Sequence, residues 1–471
     1  QSEGLYYVDL LDAGDLASDP INTEDIWVSF DFSGRDLSGN IILTRNADDA
    51  VLAGSFSKYT HYVPFYRYCG SENSGLMEGT WLAMRRTLTL GDTYFRNNKD
   101  RLGITSPEVT LRYGSKIRLY MPSSVVGNGV EGTGGYEGQE GYSLSSKRPF
   151  IVTMEIRDTV SNPLEREGTD VDDFCELNGG LQIYSKGDDD TPATEVPEDP
   201  EDPEHPYNET SKRWVSACDS IPQVYVNVRY NPAEPGDQLS FPAPYHVGYE
   251  PYVSEASVRD IDMQIAEALK KRFHGEGDDY QKYEGVKALE ADSVTLDGTA
   301  KIWYIGRFLD GFIFDTNIDE VKKIIYGEVA QKGTALDYTP SSGGMIQAFY
   351  YTIPNLKFGQ WAELITTSTN AYGSSGKSGS SSSSTSGSSG YSSSYLDYLN
   401  YLNYANSYYG SGGYYGGYYG GYYGNYYGGY YDSMYGYGYD SSSTGTTVTT
   451  ITTEIPSFTP LIFQLYIEPE D

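Results

Sequence analysis

Asp315 closes the run Lys301-Ile302-Trp303-Tyr304-Ile305-Gly306-Arg307-Phe308-Leu309-Asp310-Gly311-Phe312-Ile313-Phe314-Asp315. A carboxylate at the end of an apolar strand, next to Phe314, is costly to bury unless it is paired or put to use. The motifs of nucleotide, metal and acyl-transfer chemistry are missing. The chain has no G-x-x-x-x-G-K-[ST], H-E-x-x-H, C-x-x-C or G-x-S-x-G, and His61, His205, His246 and His274 lack ligand spacing. Metal and nucleotide chemistry are therefore not expected. No cofactor is expected.

The same run also names the elements that must hold Asp315. Its alternation predicts a strand, a turn at Gly311 and a second strand. The pattern continues through Met345-Ile346-Gln347-Ala348-Phe349, Phe358-Gly359-Gln360 and Ala371-Tyr372-Gly373, and resumes at Thr459-Pro460-Leu461-Ile462-Phe463. Residues 301–373 and 455–467 therefore read as one module split by an insertion. In this order the segments resemble the FK506-binding-protein (FKBP) family of peptidyl-prolyl isomerases, whose pattern runs V-x-Y-x-G-x-x-x-D-G-x-x-F-D, V-I-x-G-W, V-G-x, A-Y-G and T-L-x-F.

The resemblance implies a cradle lined by Tyr304, Phe314, Met345, Phe349 and Phe463. It implies that Asp315 is a buried carboxylate facing the twisted amide, that the Ile346 N–H anchors a substrate carbonyl, and that the Tyr372 hydroxyl donates a second hydrogen bond. Taken alone, Tyr304, Phe314 and Phe463 read as core. The module departs from the family pattern in three places. Phe349 stands where a Trp is usual, no Arg partner for the carboxylate is evident in Thr316 to Lys322, and the insertion replaces the flap.

The first 160 residues repeat the grammar in diverged form. Gly4–Leu11 and Asp25–Gly34 read as strands, Leu76–Met84 as a short helix, and Tyr113–Pro122 and Pro149–Ile156 as further strands. Phe32 takes the place of the pattern's Tyr, Ile42-Leu43 that of the Phe-Asp pair, and Val125-Val126-Gly127 that of Ala-Tyr-Gly. Such a copy keeps an apolar floor and loses its polar handles, so it is expected to act as a scaffold or binding module.

The expected fold is α+β: two FKBP-like domains, each an antiparallel sheet wrapped on a short helix, joined by an acidic linker and a helical segment. The divisions are 1–160, an acidic Pro-rich linker at 161–212, a connecting strand and helix at 213–280, and 281–471 with an insertion at 374–454. The helix is read as Ser254 to Phe273, with Val258, Ile261, Ile265, Leu269 and Phe273 on its buried face. Asp188-Asp189-Asp190 and the Pro/Glu/Asp run after it suit an extended linker. A calcium loop would need alternating carboxylates and a turn Gly. The insertion combines a Ser/Gly stretch with Tyr-Tyr-Gly-Gly tandems, a composition that gives large amphipathic contact area.

A formal charge of −33 argues against nucleic acid and against a polybasic membrane contact. No apolar run is long enough to span a bilayer. The start at Gln1 and the Tyr/Gly/Ser/Asp-rich, Lys-poor composition suggest a processed, exported protein of the periplasm or cell surface of a bacterial outer membrane, with a lipid anchor ahead of Gln1 compatible. Cys175 and Cys218 flank the acidic loop and suit a bridge that leaves Cys69 over, while three buried thiols fit as well. The expected function is an exported prolyl isomerase and chaperone for proline-containing envelope proteins. A non-catalytic subunit of an envelope assembly, docked through the Tyr/Gly loop, is the alternative, and a glycan-binding adhesin ranks below both.

Overall fold

The computed structural model describes residues 7–23, 25–54, 60–72, 76–126, 149–178, 180–182, 214–218, 220–230, 255–274, 293–326, 332–377 and 453–469. The chain divides into two compact units, one running to Arg166 and the other starting at Glu167. The Asp188–Asp190 run, residues 183–212 of the expected acidic linker and residues 378–452 of the insertion lie outside the described residues, and the segment expected as linker from residue 161 opens instead with a helix at Pro163–Leu177.

The first unit contains β1 (Tyr7–Ala13), β2 (Ile26–Arg35), β3 (Ile41–Thr44), α1 (Ala47–Leu52), β4 (Phe65–Cys69), α2 (Glu78–Arg85), β5 (Leu88–Thr89), α3 (Asp92–Leu102), β6 (Glu108–Val109), β7 (Ser115–Met121) and β8 (Phe150–Val160). Its main sheet runs β1-β7-β8-β2-β3, with β4 also on β2, and every pairing is antiparallel. Strict alternation explains the sheet. Ile117, Leu119 and Met121 of β7 and Phe150, Val152, Met154 and Ile156 of β8 face the core, while the residues between them are partly exposed. The solvent-side face is laced with ion pairs such as Lys116–Glu155 and Arg157–Asp31. α1 is capped by Asn46, whose side chain accepts the Asp49 N–H at 3.1 Å.

The second unit contains α4 (Pro163–Leu177), which starts just before it, then β9 (Leu181–Gln182), β10 (Trp214–Ser216), β11 (Val224–Tyr230), α5 (Glu255–His274), β12 (Ala300–Phe308), β13 (Ile313–Thr316), α6 (Asp319–Tyr326), β14 (Leu336–Tyr338), α7 (Gln347–Thr352), β15 (Trp361–Thr366) and β16 (Leu461–Ile467). The sheet order is β13-β12-β16-β15-β11-β10-β9, with β14 also on β12. Only the short β9–β10 pair is parallel. From β11 to β13 this repeats the first unit strand for strand, including a register break just after Gly34, opposite Leu43, and just after Gly306, opposite Asp315. Both units are α+β, an antiparallel sheet wrapped on a short helix.

Val224–Tyr230, expected in a connecting segment, pairs with β15 along its length and is a full member of the second sheet. The helix after it begins at Glu255 and lies on the same sheet, where Ile265, Leu269 and Phe273 pack on Ile305, Ile313, Trp361 and Tyr466. α4 covers the other end of that face, with Val171, Phe174 and Cys175 against Trp214, Tyr225, Ile365 and Ile462. Covered on both faces, β15 and β16 are buried at every position. Between the two apolar patches runs a polar row. Arg229 Nε donates to Glu363 at 2.7 Å, Gln464 donates to Glu363 at 3.0 Å, and Arg307 donates to Gln464 and Asp262, each at 3.1 Å. Each buried charge there has an opposite partner, which offsets its desolvation.

The three cysteines are free thiols. The suggested Cys175–Cys218 bridge is absent because Cys175 is turned into the core beneath α4, while the Cys218 Sγ sits 3.2 Å from the Ser220 hydroxyl.

Candidate functional site

Tyr304 and Gly306 alternate onto the core face of β12, and the turn at Gly311 returns the chain as β13 with Phe314 and Asp315. Gly306 makes room for a ring. A Cβ there would lie 2.6 Å from Phe314 Cζ, so the absence of a side chain lets Phe314 lie flat on the strand. Gly306 also pairs with Phe463, which brings Phe314 and Phe463 edge to face at 5.7 Å and 89°. Phe349 of α7 meets Phe463 at 5.1 Å and 81°, and Tyr304 meets it at 6.3 Å. Phe463 is thus the hub of the aromatic cluster, in geometries that ring quadrupoles favour.

Phe314, Ile346, Phe349 and Phe463 are buried and share one core cluster, against which Tyr304 and Tyr372 pack partly buried. Met345 is the exception. It is 38% exposed, on the turn ahead of α7, and does not belong to that cluster. Ile346 caps α7, where the leading N–H groups have no intrahelical acceptor, and its own N–H meets no acceptor among the described residues.

Asp315 is half-buried rather than buried, between the buried Phe314 and Thr316 of β13. In place of the expected Arg it is held by Tyr304, whose hydroxyl donates to its carboxylate at 2.9 Å. Burial above all, then the Asp315 charge and the bond to it, push the Tyr304 phenol far above its ordinary range, so it stays a donor. Tyr372 follows the turn Ser368–Asn370. Its hydroxyl has no partner among the described residues, and the Lys377 ammonium lies 5.3 Å from its ring.

Several residues around the site went unmarked in the sequence. Phe308 stands 5.0 Å from Phe314 and stacks on Phe312 at 6.0 Å, and Tyr338 sits beneath Phe349 at 5.9 Å. The repeated Phe of the strand-turn-strand run was the available signal. Lys377, just inside the start of the insertion, and Ile455, just past its end, exchange two backbone hydrogen bonds at 2.8 and 2.9 Å, and the Phe458 N–H donates to Gly373 at 3.3 Å. The insertion thus leaves and returns at the rim that carries Tyr372.

In the first unit the corresponding positions are closed. Phe32, Ile42, Leu43, Val125 and Val126 are all buried. Thr80 holds in α2 the place of Phe349 in α7, and Met121 fills the space beside Gly79, its sulfur only 2.3 Å from where a Cβ would be.

No protein-family model matches the chain, and no curated protein matches it. Solved structures do. The three FKBP domains of wheat FKBP73 match at 9% identity over 99% of this chain and 95% of that one, with a TM-score of 0.20. The structural likeness is to FKBP proteins. A peptidyl-prolyl cis-trans isomerase from Pseudomonas syringae matches at 14% identity over 38% of this chain and 66% of its own, with a TM-score of 0.17. FkpA from Escherichia coli matches at 12% identity over 34% and 50%, with a TM-score of 0.20.

Proposed function

We propose that the second unit is a prolyl cis-trans isomerase site acting on X-Pro bonds of client proteins. The observation that supports this best is the joining, at one rim, of the Phe314–Phe463–Phe349 cluster with a carboxylate held by Tyr304. The amide barrier is about 18–20 kcal/mol and falls when C–N double-bond character is reduced. A twisted amide is less polar than a planar one, so an apolar floor that excludes water favours it over the ground state. The proline ring would rest on Phe463 and Phe349. The Ile346 N–H would hold a substrate carbonyl, the Tyr372 hydroxyl would donate to a second, and the Asp315 carboxylate would face the twisted amide. No covalent step is involved.

The first unit, with Leu43 and Phe32 where the second has Asp315 and Tyr304, serves in this reading as scaffold or client-holding module. Clients in a bacterial envelope fit the Tyr/Gly/Ser/Asp-rich, Lys-poor composition. One observation favours a second reading, a non-catalytic subunit that docks through its insertion. Both ends of that segment are tied at the site rim by the Lys377–Ile455 bonds, so a partner bound there would be held over the same surface.

A proline-limited refolding assay separates the two. Acceleration by the full-length chain, lost in Asp315→Ala and Phe314→Ala with the melting transition retained, supports the enzyme. No acceleration by the unaltered protein refutes it.

A further inference from the structure

Glu167, in the first turns of α4, is 3% exposed and grips Ser368 with both carboxylate oxygens. Oε2 accepts the Ser368 N–H at 2.7 Å, and Oε1 bonds the Ser368 hydroxyl at 2.7 Å. Ser368 is itself 1% exposed and opens the turn Ser368–Asn370. Its carbonyl takes the Ala371 N–H at 2.9 Å, and the next residue is Tyr372. One side chain from a helix outside the recognisable module therefore fixes the start of the short path to the Tyr372 hydroxyl. A second contact braces the same point. Gln223 lies against Gly168, where a Cβ would stand 2.2 Å from its amide nitrogen, and its carbonyl accepts the Thr367 N–H at 3.4 Å.

A buried carboxylate without a cation is an expensive way to hold a turn. Among the described residues no Lys, Arg or His pairs with Glu167. Burial pushes its carboxyl up to about 7 against the opposing pull of the two Ser368 bonds, and Asp170 adds a smaller upward push. A packed apolar residue would hold the backbone at less cost. It would not fix the Ser368 N–H and hydroxyl in direction, which a two-oxygen acceptor does.

We infer that Glu167 is a positioning residue for the second unit's site: through its two-point grip on Ser368 it sets the turn that presents Tyr372. The inference rests on the isomerase reading for its consequence in rate, but the placement of residue 372 can be measured without it. In the full-length chain, a trifluoromethyl-phenylalanine at position 372 reports placement by its fluorine resonance. Turnover of a Leu-Pro tetrapeptide by the unlabelled chain reports function.

Glu167→Ala should shift and broaden the resonance and lower kcat/KM about tenfold, through kcat, since a small misplacement of a donor is felt mainly in the transition state. Glu167→Gln, whose amide can still accept from the N–H and donate to the hydroxyl, should restore the resonance and keep the rate within about twofold. Ser368→Ala, which keeps the N–H bond, should shift the resonance less than Glu167→Ala. An unmoved resonance in a folded Glu167→Ala chain overturns the inference, as does a Glu167→Gln chain as impaired as Glu167→Ala. A wild-type chain without turnover would remove the isomerase reading, and the resonance would still decide whether the grip places residue 372.

Discussion

The Tyr304–Asp315 bond makes the sharpest test of how the site is held. Tyr304→Phe removes a 2.9 Å bond from a partly buried phenol to a half-buried carboxylate. Hydrogen bonds to charged groups contribute about 1.5–3 kcal/mol. Water reaches Asp315 and replaces part of what is lost, so the low end, about 1.5 kcal/mol, is expected for Tyr304→Phe alone. In rate, the same energy applied to aiming the carboxylate corresponds to roughly tenfold. Asp315→Ala does the opposite damage, leaving a largely buried hydroxyl without its acceptor at a cost of about 1–3 kcal/mol. In the Asp315→Ala background, then, Tyr304→Phe should be neutral or stabilising, because it removes the orphaned group. Urea unfolding of the four chains reads the stabilities, and proline-limited refolding reads the rates. If Tyr304→Phe costs the same in both backgrounds, within the ~0.5 kcal/mol expected for independent sites, the bond does not couple the two side chains and Asp315 is aimed by something else.

Other outcomes follow from the same coordinates. Gly306→Ala, which drives a methyl into the Phe314 ring, should cost about 1–3 kcal/mol by overpacking, and it should depress isomerase activity more than a change of equal cost in the first unit. Glu167 has its carboxyl raised from 4.5 to about 7, so the folded state binds more protons than the unfolded one between those values. Its contribution is complete below about pH 4.5 and is lost as pH rises through 7, up to ~3 kcal/mol. Glu167→Gln should flatten that slope in melts between pH 5 and 8. Breaking the Arg229–Glu363 pair with Arg229→Met should cost about 3–5 kcal/mol through the uncompensated buried carboxylate, and Arg229→Met with Glu363→Leu should recover part of it. A native-state thiol titration should label Cys218 alone at once. Cys175 is buried, and Cys69 is buried with its thiol pushed up to about 11 by burial, so both should react only on unfolding.

The second unit's sheet was legible where physics acts between near neighbours. Alternation in Lys301–Phe308 marks which residues share a face, the apolar Leu461-Ile462-Phe463 run marks a buried strand, and Gly306 and Gly311 mark the close approach and the turn. That is enough to gather Tyr304, Phe314 and Phe463 on one surface. The exposure of Met345 was not legible, because one position ahead of a helix cap settles whether a side chain enters the core or turns out of it. Nor was the half-burial of Asp315, which its buried neighbours Phe314 and Thr316 on the same strand do not share. The apolar Val224–Val228 run marks a strand but no partner, since periodicity names a face and never the neighbour across it.

The sequence by itself determined the period of each element, the turns, and the aromatic surface with one carboxylate, because these depend on side-chain type and spacing over a few residues. Only the tertiary structure decided that α4 and α5 close the far side of the second sheet, that Met121 packs beside Gly79 in the first unit, and that Glu167 reaches Ser368. Those outcomes join residues far apart in the chain through packing and desolvation, and neither has a signature in local spacing.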